Sequence, residues 1–141
     1  MALQFQYLCP LLEVFDMPAS LAFYRDTLGM EIVEAAPPPS QVTDDDFGWV
    51  WLRRDSTNLM LNSAYETVAD RPPSPDPARA AAHHDTALFI GCADVDGMYA
   101  RLRAKGFGVE PPTVAPYGMK QLYVKDPDGF NVCFQWPEEK E

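Results

Sequence analysis

Residues 10–30, PLLEVFDMPASLAFYRDTLGM, and residues 87–107, ALFIGCADVDGMYARLRAKGF, follow one plan. In the first, Leu12 and Val14 alternate with Leu11, Glu13 and Phe15, the period of a strand with two unlike faces. Asp16 stands where a helix N-cap belongs, with Pro18 in the first turn. Met17, Leu21, Tyr24 and Leu28 then recur on one helical face, and Gly29 stops the helix. In the second, Asp94 falls on Asp16 at an offset of 78 (94 − 16). Val95, Met98 and Leu102 make its stripe, and Gly106 is its stop. This repeat constrains the fold more than composition does. Two copies are too few for a solenoid, so they read as two halves sharing one sheet system.

The downstream segments echo as well. WLRRDSTNLMLNS (51–63) and LYVKDPDGFNVCFQ (122–135) each read as strand, polar turn and strand, with Asp55 set against Asp126. Glu31–Glu34 adds a short strand to the first copy. Val109 and Glu110 add a short edge strand to the second, before Pro111 and Pro112 bend the chain. The reading is an α+β fold of two βαβββ modules: module one at 1–65, a linker at 66–85 and module two at 86–137. The linker carries four prolines between 72 and 77, with a helical turn at Pro77–Ala82. Residues 35–48 read as a loop whose Asp44–Asp46 cluster is either a solvated tip or a lure for a cation. The tail EEKE (138–141) is charged and expected to fray.

Composition removes several function classes. A net charge of −10, from 21 acidic and 11 basic residues, argues against a nucleic-acid partner, which needs clustered Lys and Arg. No apolar run approaches the roughly 20 residues of a membrane span, so no membrane partner is expected. MALQFQYLCP has neither a basic n-region nor a clear cleavage site, so a cytoplasmic protein is expected. Three cysteines, Cys9, Cys92 and Cys133, without a CxxC pair fit free thiols in a reducing compartment.

Trp49 and Trp51 share one strand face with Arg53. They are core, or they are an aromatic wall for a flat ligand. His83 and His84 are adjacent and point opposite ways on an extended chain, so at most one could enter a given site.

The two strand–Asp–helix–Gly copies and the closing DPDG hairpin resemble the vicinal oxygen chelate superfamily. That group holds glyoxalase I, extradiol dioxygenases, methylmalonyl-CoA epimerase and the bleomycin- and fosfomycin-resistance proteins. The matching stretches are PLLEVFDMPASLAFYRDTLGM at 10–30, DVDGMYARLRAKG at 94–106 and YGMKQLYVKDPDGFNVCFQ at 117–135. The Pro10-Leu11-Leu12 opening and the YGMK approach to DPDG look most like the bleomycin-resistance branch. The resemblance implies curled mixed sheets around a cup-shaped cavity. It also implies a homodimer with ligand clefts at or near the subunit interface.

In the metal enzymes of that group, a ligand, typically His, lies seven residues before the capping Asp. A second, typically Glu, lies seven after the turn Asp. Those positions here are Cys9 (16 − 7), Ala87 (94 − 7), Asn62 (55 + 7) and Cys133 (126 + 7). Alanine offers nothing and asparagine little to a divalent metal. No metal and no cofactor are therefore expected at the usual place. Cys9 and Cys133 read as small buried apolar side chains, with a thiol pair between them as the alternative.

The first functional reading is a metal-free binding protein that sequesters a flat ligand, with cationic ligands included, in an aromatic cleft. Its candidate contacts are Glu13, Phe15, Trp49, Trp51, Arg53, Asn62, Tyr117, Cys133, Gln135 and Trp136. Glu13 is the one acid expected inside the cup, as a cation anchor or a base. The rival is a metal-dependent lyase, isomerase or dioxygenase with displaced ligands, such as His83 or His84 with Glu13 and a cysteine. A third reading is a vestigial scaffold module with a filled cup.

Overall fold

The computed structural model describes residues 2–65 and 68–138; Glu66 and Thr67 of the expected linker, and residues 139–141 of the tail, lie outside the described residues. The chain divides into two compact units, Met1–Ser74 and Pro75–Glu141. Each is built on one four-stranded mixed sheet, in the α+β arrangement that the sequence predicts.

Unit one runs β1 (Leu11–Val14), α1 (Met17–Leu21), β2 (Glu31–Ala36), β3 (Trp49–Arg54) and β4 (Thr57–Ser63), with sheet order β1-β4-β3-β2. β1 lies parallel to β4 and the other pairs are antiparallel. Asp16 caps α1 by accepting the Ala19 N–H at 3.2 Å. The helix then widens to a π turn over Ala22–Thr27, where the Leu28 N–H reaches back five residues to the Phe23 carbonyl at 2.9 Å. The expected stripe of Met17, Leu21, Tyr24 and Leu28 is buried, and Phe23 and Thr27 are buried with it. Gly29 closes the helix at φ 83°, a conformation favourable to glycine. The stripe shares a core with Leu12 and Val14 and with Val50, Leu52, Leu59 and Leu61, all buried. Each fully buried side chain of this size contributes about 1.5–3 kcal/mol. β2 continues past the expected Glu34 to Ala36 and ends before three prolines, which have no N–H to donate.

Unit two runs α2 (Pro77–Ala82), β5 (Ala87–Gly91), α3 (Val95–Ala104), β6 (Thr113–Val114), β7 (Met119–Lys125) and β8 (Asn131–Pro137), with sheet order β5-β8-β7-β6. Asp94 caps α3 by accepting the Gly97 N–H at 2.9 Å, and Val95 and Leu102 are buried beneath it. The edge strand expected at Val109 and Glu110 does not form. Pairing begins at Thr113 and Val114, opposite Gln121 and Lys120, after Pro111 and Pro112 have passed and backbone donors return.

The second half of the linker is fastened onto unit two. Arg79 reaches the Asp128 carboxylate at 2.8 Å, and Asp128 is only 3% exposed. His83 Nδ1–H donates to the Asp128 carbonyl at 2.7 Å, and its ring stacks on Phe130 with centroids 3.9 Å apart. Asn131 Nδ2 donates to the His84 carbonyl at 2.7 Å. Gly129 makes this docking fit: it sits at φ 86°, and a Cβ there would stand 2.7 Å from the Ala80 carbonyl oxygen.

The two hairpins differ in length, and the difference corrects the sequence alignment. In unit one Arg54 pairs with Thr57 across Asp55 and Ser56, with Asp55 exposed at φ 51°. In unit two Lys125 pairs with Asn131 across residues 126–130. There Asp126 is buried and accepts the N–H groups of Asp128 and Phe130, both at 2.9 Å. Glu13 lies opposite Asn62, and its counterpart Gly91 (13 + 78) lies opposite Gln135. Gln135 is therefore the equivalent of Asn62, and Cys133, opposite Phe89, is the equivalent of Met60.

Candidate functional site

Residues directly opposite on paired strands point to the same side of a sheet. That rule settles the face of the tryptophan strand. In unit one the face away from the helix carries Glu13, Asn62 and Trp49 in one row. Leu11, Met60, Trp51 and Glu34 form the next, and Asn58, Arg53 and Glu31 the third. Five of the expected contacts, Glu13, Trp49, Trp51, Arg53 and Asn62, thus come together on one surface. Trp49, Trp51 and Asn62 are half-buried, while Glu13 and Arg53 are exposed. Glu13 lies on β1, an edge strand of this sheet, and is exposed within unit one.

Asn58, which the sequence reading missed, holds two of these side chains. Its Oδ1 accepts the Trp51 indole N–H at 3.0 Å and the Arg53 Nε–H at 3.1 Å. The Arg53 guanidinium lies over the Trp51 ring, 4.9 Å from its centroid. Tyr7 stacks on the same indole at 6.2 Å and 20°. Burial pushes the Cys9 thiol up, and the Arg53 charge partly offsets this. Cys9 is half-buried rather than buried. Phe15 stands past the end of β1, edge-on to Tyr65 at 5.8 Å, with the Arg71 guanidinium 5.6 Å from its ring centroid.

In unit two the corresponding face carries Phe89, Cys133 and Tyr123 in one row and Gly91, Gln135 and Gln121 in the next. Gln121, also missed, is the centre of a polar network. Its Nε2 donates to Tyr117 Oη at 2.8 Å and to Gln135 Oε1 at 2.9 Å. Tyr117, Cys133 and Gln135 are therefore gathered on this face, whereas Trp136 alternates to the other. Burial pushes the Cys133 thiol up, and a hydrogen bond from Tyr123 opposes this. Burial raises the Tyr123 phenol too, with the neighbouring Cys133 adding to the effect. A groove of about 530 Å³ opens beside β7, lined by Phe107, Val109, Glu110, Gln121, Tyr123 and Asn131 among others.

The expected metal positions do not offer a fitting donor set. The first-strand positions are Cys9 and Ala87. The last-strand positions counted from the turns are Asn62 and Cys133; by register Gln135 matches Asn62 and Met60 matches Cys133, and none of the four is a carboxylate or an imidazole. The displaced set fares no better. His83 is bonded to Asp128 and stacked on Phe130, and His84 is bonded to the Ala81 carbonyl and faces Asp85 at 3.2 Å. Among the described residues no group of three or more His, Cys, Asp or Glu is placed to hold a metal ion. All three cysteines are free thiols. In the acidic loop, Arg25 grips both Asp45 oxygens at 3.0 and 2.7 Å, so this aspartate already has its cation. No described helix is long and apolar enough to cross a membrane.

A family model described as Glyoxalase/Bleomycin resistance protein/Dioxygenase superfamily matches residues 7–134. No curated protein matches the sequence. Among solved structures, the chain is similar to the bleomycin resistance determinant encoded on the transposon Tn5. That match has 20% identity and a TM-score of 0.68, over 96% of this chain and 100% of that one. It is similar to TnmS3, an antibiotic binding protein from Streptomyces sp. CB03234, with 23% identity and a TM-score of 0.67, over 98% and 99%. It is also similar to a lactoylglutathione lyase from Agrobacterium tumefaciens, with 22% identity and a TM-score of 0.64, over 94% of each chain. At these identities the likeness establishes the fold, shared here by an antibiotic binding protein, a resistance determinant and a lyase.

Proposed function

This chain belongs to the glyoxalase/bleomycin resistance protein/dioxygenase superfamily, and from that premise we propose that it is a metal-free binding protein for a flat small molecule. The observation that carries the reading is the outward face of unit one. Two half-exposed indoles there share a surface with Asn62, Glu13 and Arg53. A wall of this kind takes a flat ligand by stacking and desolvation, with a few polar groups to orient it. The donor chemistry at the usual metal positions supports binding without a metal. In unit two, Tyr117, Cys133 and Gln135 form a more polar surface of that unit's own, which we propose as a separate ligand-contact face, with Trp136 left out.

An antibiotic binding protein and a bleomycin resistance determinant among the similar solved structures support a small-molecule ligand. Apolar side chains left exposed, among them Leu3, Phe5 and Leu8, support a homodimer. Free thiols support a reducing, cytoplasmic setting.

The test pairs elemental analysis with calorimetric titration of anthracene-2-carboxamide. Protein purified without chelator should hold no stoichiometric zinc, iron, manganese or nickel, and the probe should bind equally with and without EDTA. A near-stoichiometric metal, or binding that EDTA abolishes, would overturn the reading.

A further inference from the structure

The arginines of unit one are not used alike. Arg25 is matched to Asp26 and Asp45, Arg71 to Asp16, and Arg54 donates to the Leu28 carbonyl. Arg53 differs. Its Nε–H is fixed on Asn58 and its plane lies over Trp51, while its two terminal nitrogens meet no carboxylate among the described residues. Glu31 stands directly opposite Arg53 on β2, on the same face, yet no ion pair joins the two. Asn58 and Trp51 hold the guanidinium without neutralising it, because a carboxamide and an indole have no charge. The terminal N–H pair of a held guanidinium is a fork that matches the two oxygens of a carboxylate or a phosphate. Trp51 is engaged by Arg53 and by Tyr7. Trp49, on the same strand face two residues before Trp51, is the indole left for a ligand ring.

We infer that the outward face of unit one recognises a flat aromatic oxyanion, its acidic group on the Arg53 fork and its rings along Trp49. The inference rests on the small-molecule reading above and names the ligand class for the same surface. It also reverses the cationic expectation drawn from the acidic residues. Asn58 is a positioning residue in this account: it aims Arg53 and does not touch the ligand.

The experiment compares anthracene-2-carboxylate, anthracene-2-carboxamide and 2-(aminomethyl)anthracene by calorimetry on the full chain. Charge-assisted bidentate bonds predict that the carboxylate binds about tenfold or more tighter than the amide, and that added salt narrows the gap. Arg53→Gln should erase that preference. Arg53→Lys should restore only part of it, because an ammonium cannot form the fork. Asn58→Leu should lower carboxylate affinity while sparing the amide. Equal binding of carboxylate and amide to the wild type, tighter binding of the amine, or a preference that survives Arg53→Gln would overturn the inference and leave the binding-protein reading standing. Failure of all three probes to bind would remove both.

Discussion

Unit one presents indoles and an arginine on the outward face of its sheet, and unit two presents carboxamides and phenols on the matching face of a sheet with the same strand order. The register is the same too: Glu13 faces Asn62 as Gly91 faces Gln135. What differs is the residue at each outward position and the length of the last hairpin. The lesson is that the inward parity of each strand specifies the fold, while the outward parity is free to specify a ligand. The two hairpins make the same point in energetic terms. The two-residue turn of unit one is exposed and tolerates Asp55 in the left-handed region. The longer turn of unit two is a docking surface for α2 and requires glycine.

The largest effect should come from Gly129→Val. Left-handed backbone costs a branched residue roughly 1–2 kcal/mol, and the contact with the Ala80 carbonyl adds to it. Urea unfolding should show a loss of about 2–4 kcal/mol. Arg79→Met comes next. It removes the cation paired with the buried Asp128 carboxylate, and since Arg79 itself is 27% exposed, roughly 2–3 kcal/mol is expected by the same measurement.

The matching change in unit one, Arg25→Met, breaks a half-exposed pair and should cost only about 0.5–1 kcal/mol. That pair also predicts a pH effect of definite sign. The Arg25 guanidinium holds the Asp45 carboxyl below its ordinary value of 3.8. Its contribution is therefore complete above that value and is lost as pH falls through the lowered folded value. Acid titrations of wild type and Asp45→Asn should converge there. Smallest of all, Asp55→Gly should stabilise unit one by about 0.5 kcal/mol, by relieving the left-handed strain at φ 51°. If Arg25→Met costs more than Arg79→Met, the contrast between an anchored turn and a free one fails.

Much of the fold is legible in the chain because caps, stripes and stops are local. Asp16 and Asp94 cap their helices, and Gly29 and Gly106 end them at φ 83° and 92°. The joint face of Trp49, Trp51 and Arg53 is also a local fact. Their common side with Glu13 is not, because it depends on strand register. Counting seven residues from Asp55 and Asp126 takes hairpins of different length as equal and so aligns Asn62 with Cys133, two positions that register does not make equivalent. Asn58 and Gln121 were within reach. The alternation in TNLMLNS puts Asn58 on the face of Met60 and Asn62, and that in MKQLYVK puts Gln121 on the face of Tyr123. The link between His83 and the DPDG turn joins residues 45 apart in sequence, and nothing local announces it.

The central claim is that a flat ligand lies on the tryptophan face of unit one. Three tryptophans give three indole N–H signals, two on that face and one, Trp136, on the helix side of the sheet of unit two. Titration of anthracene-2-carboxylate into ¹⁵N-labelled protein with EDTA present, assigned by Trp→Phe variants, reads all three at once. The account predicts saturable shifts at Trp49 and Trp51 with Trp136 unmoved. Shifts confined to Trp136, or none at Trp49, would contradict it.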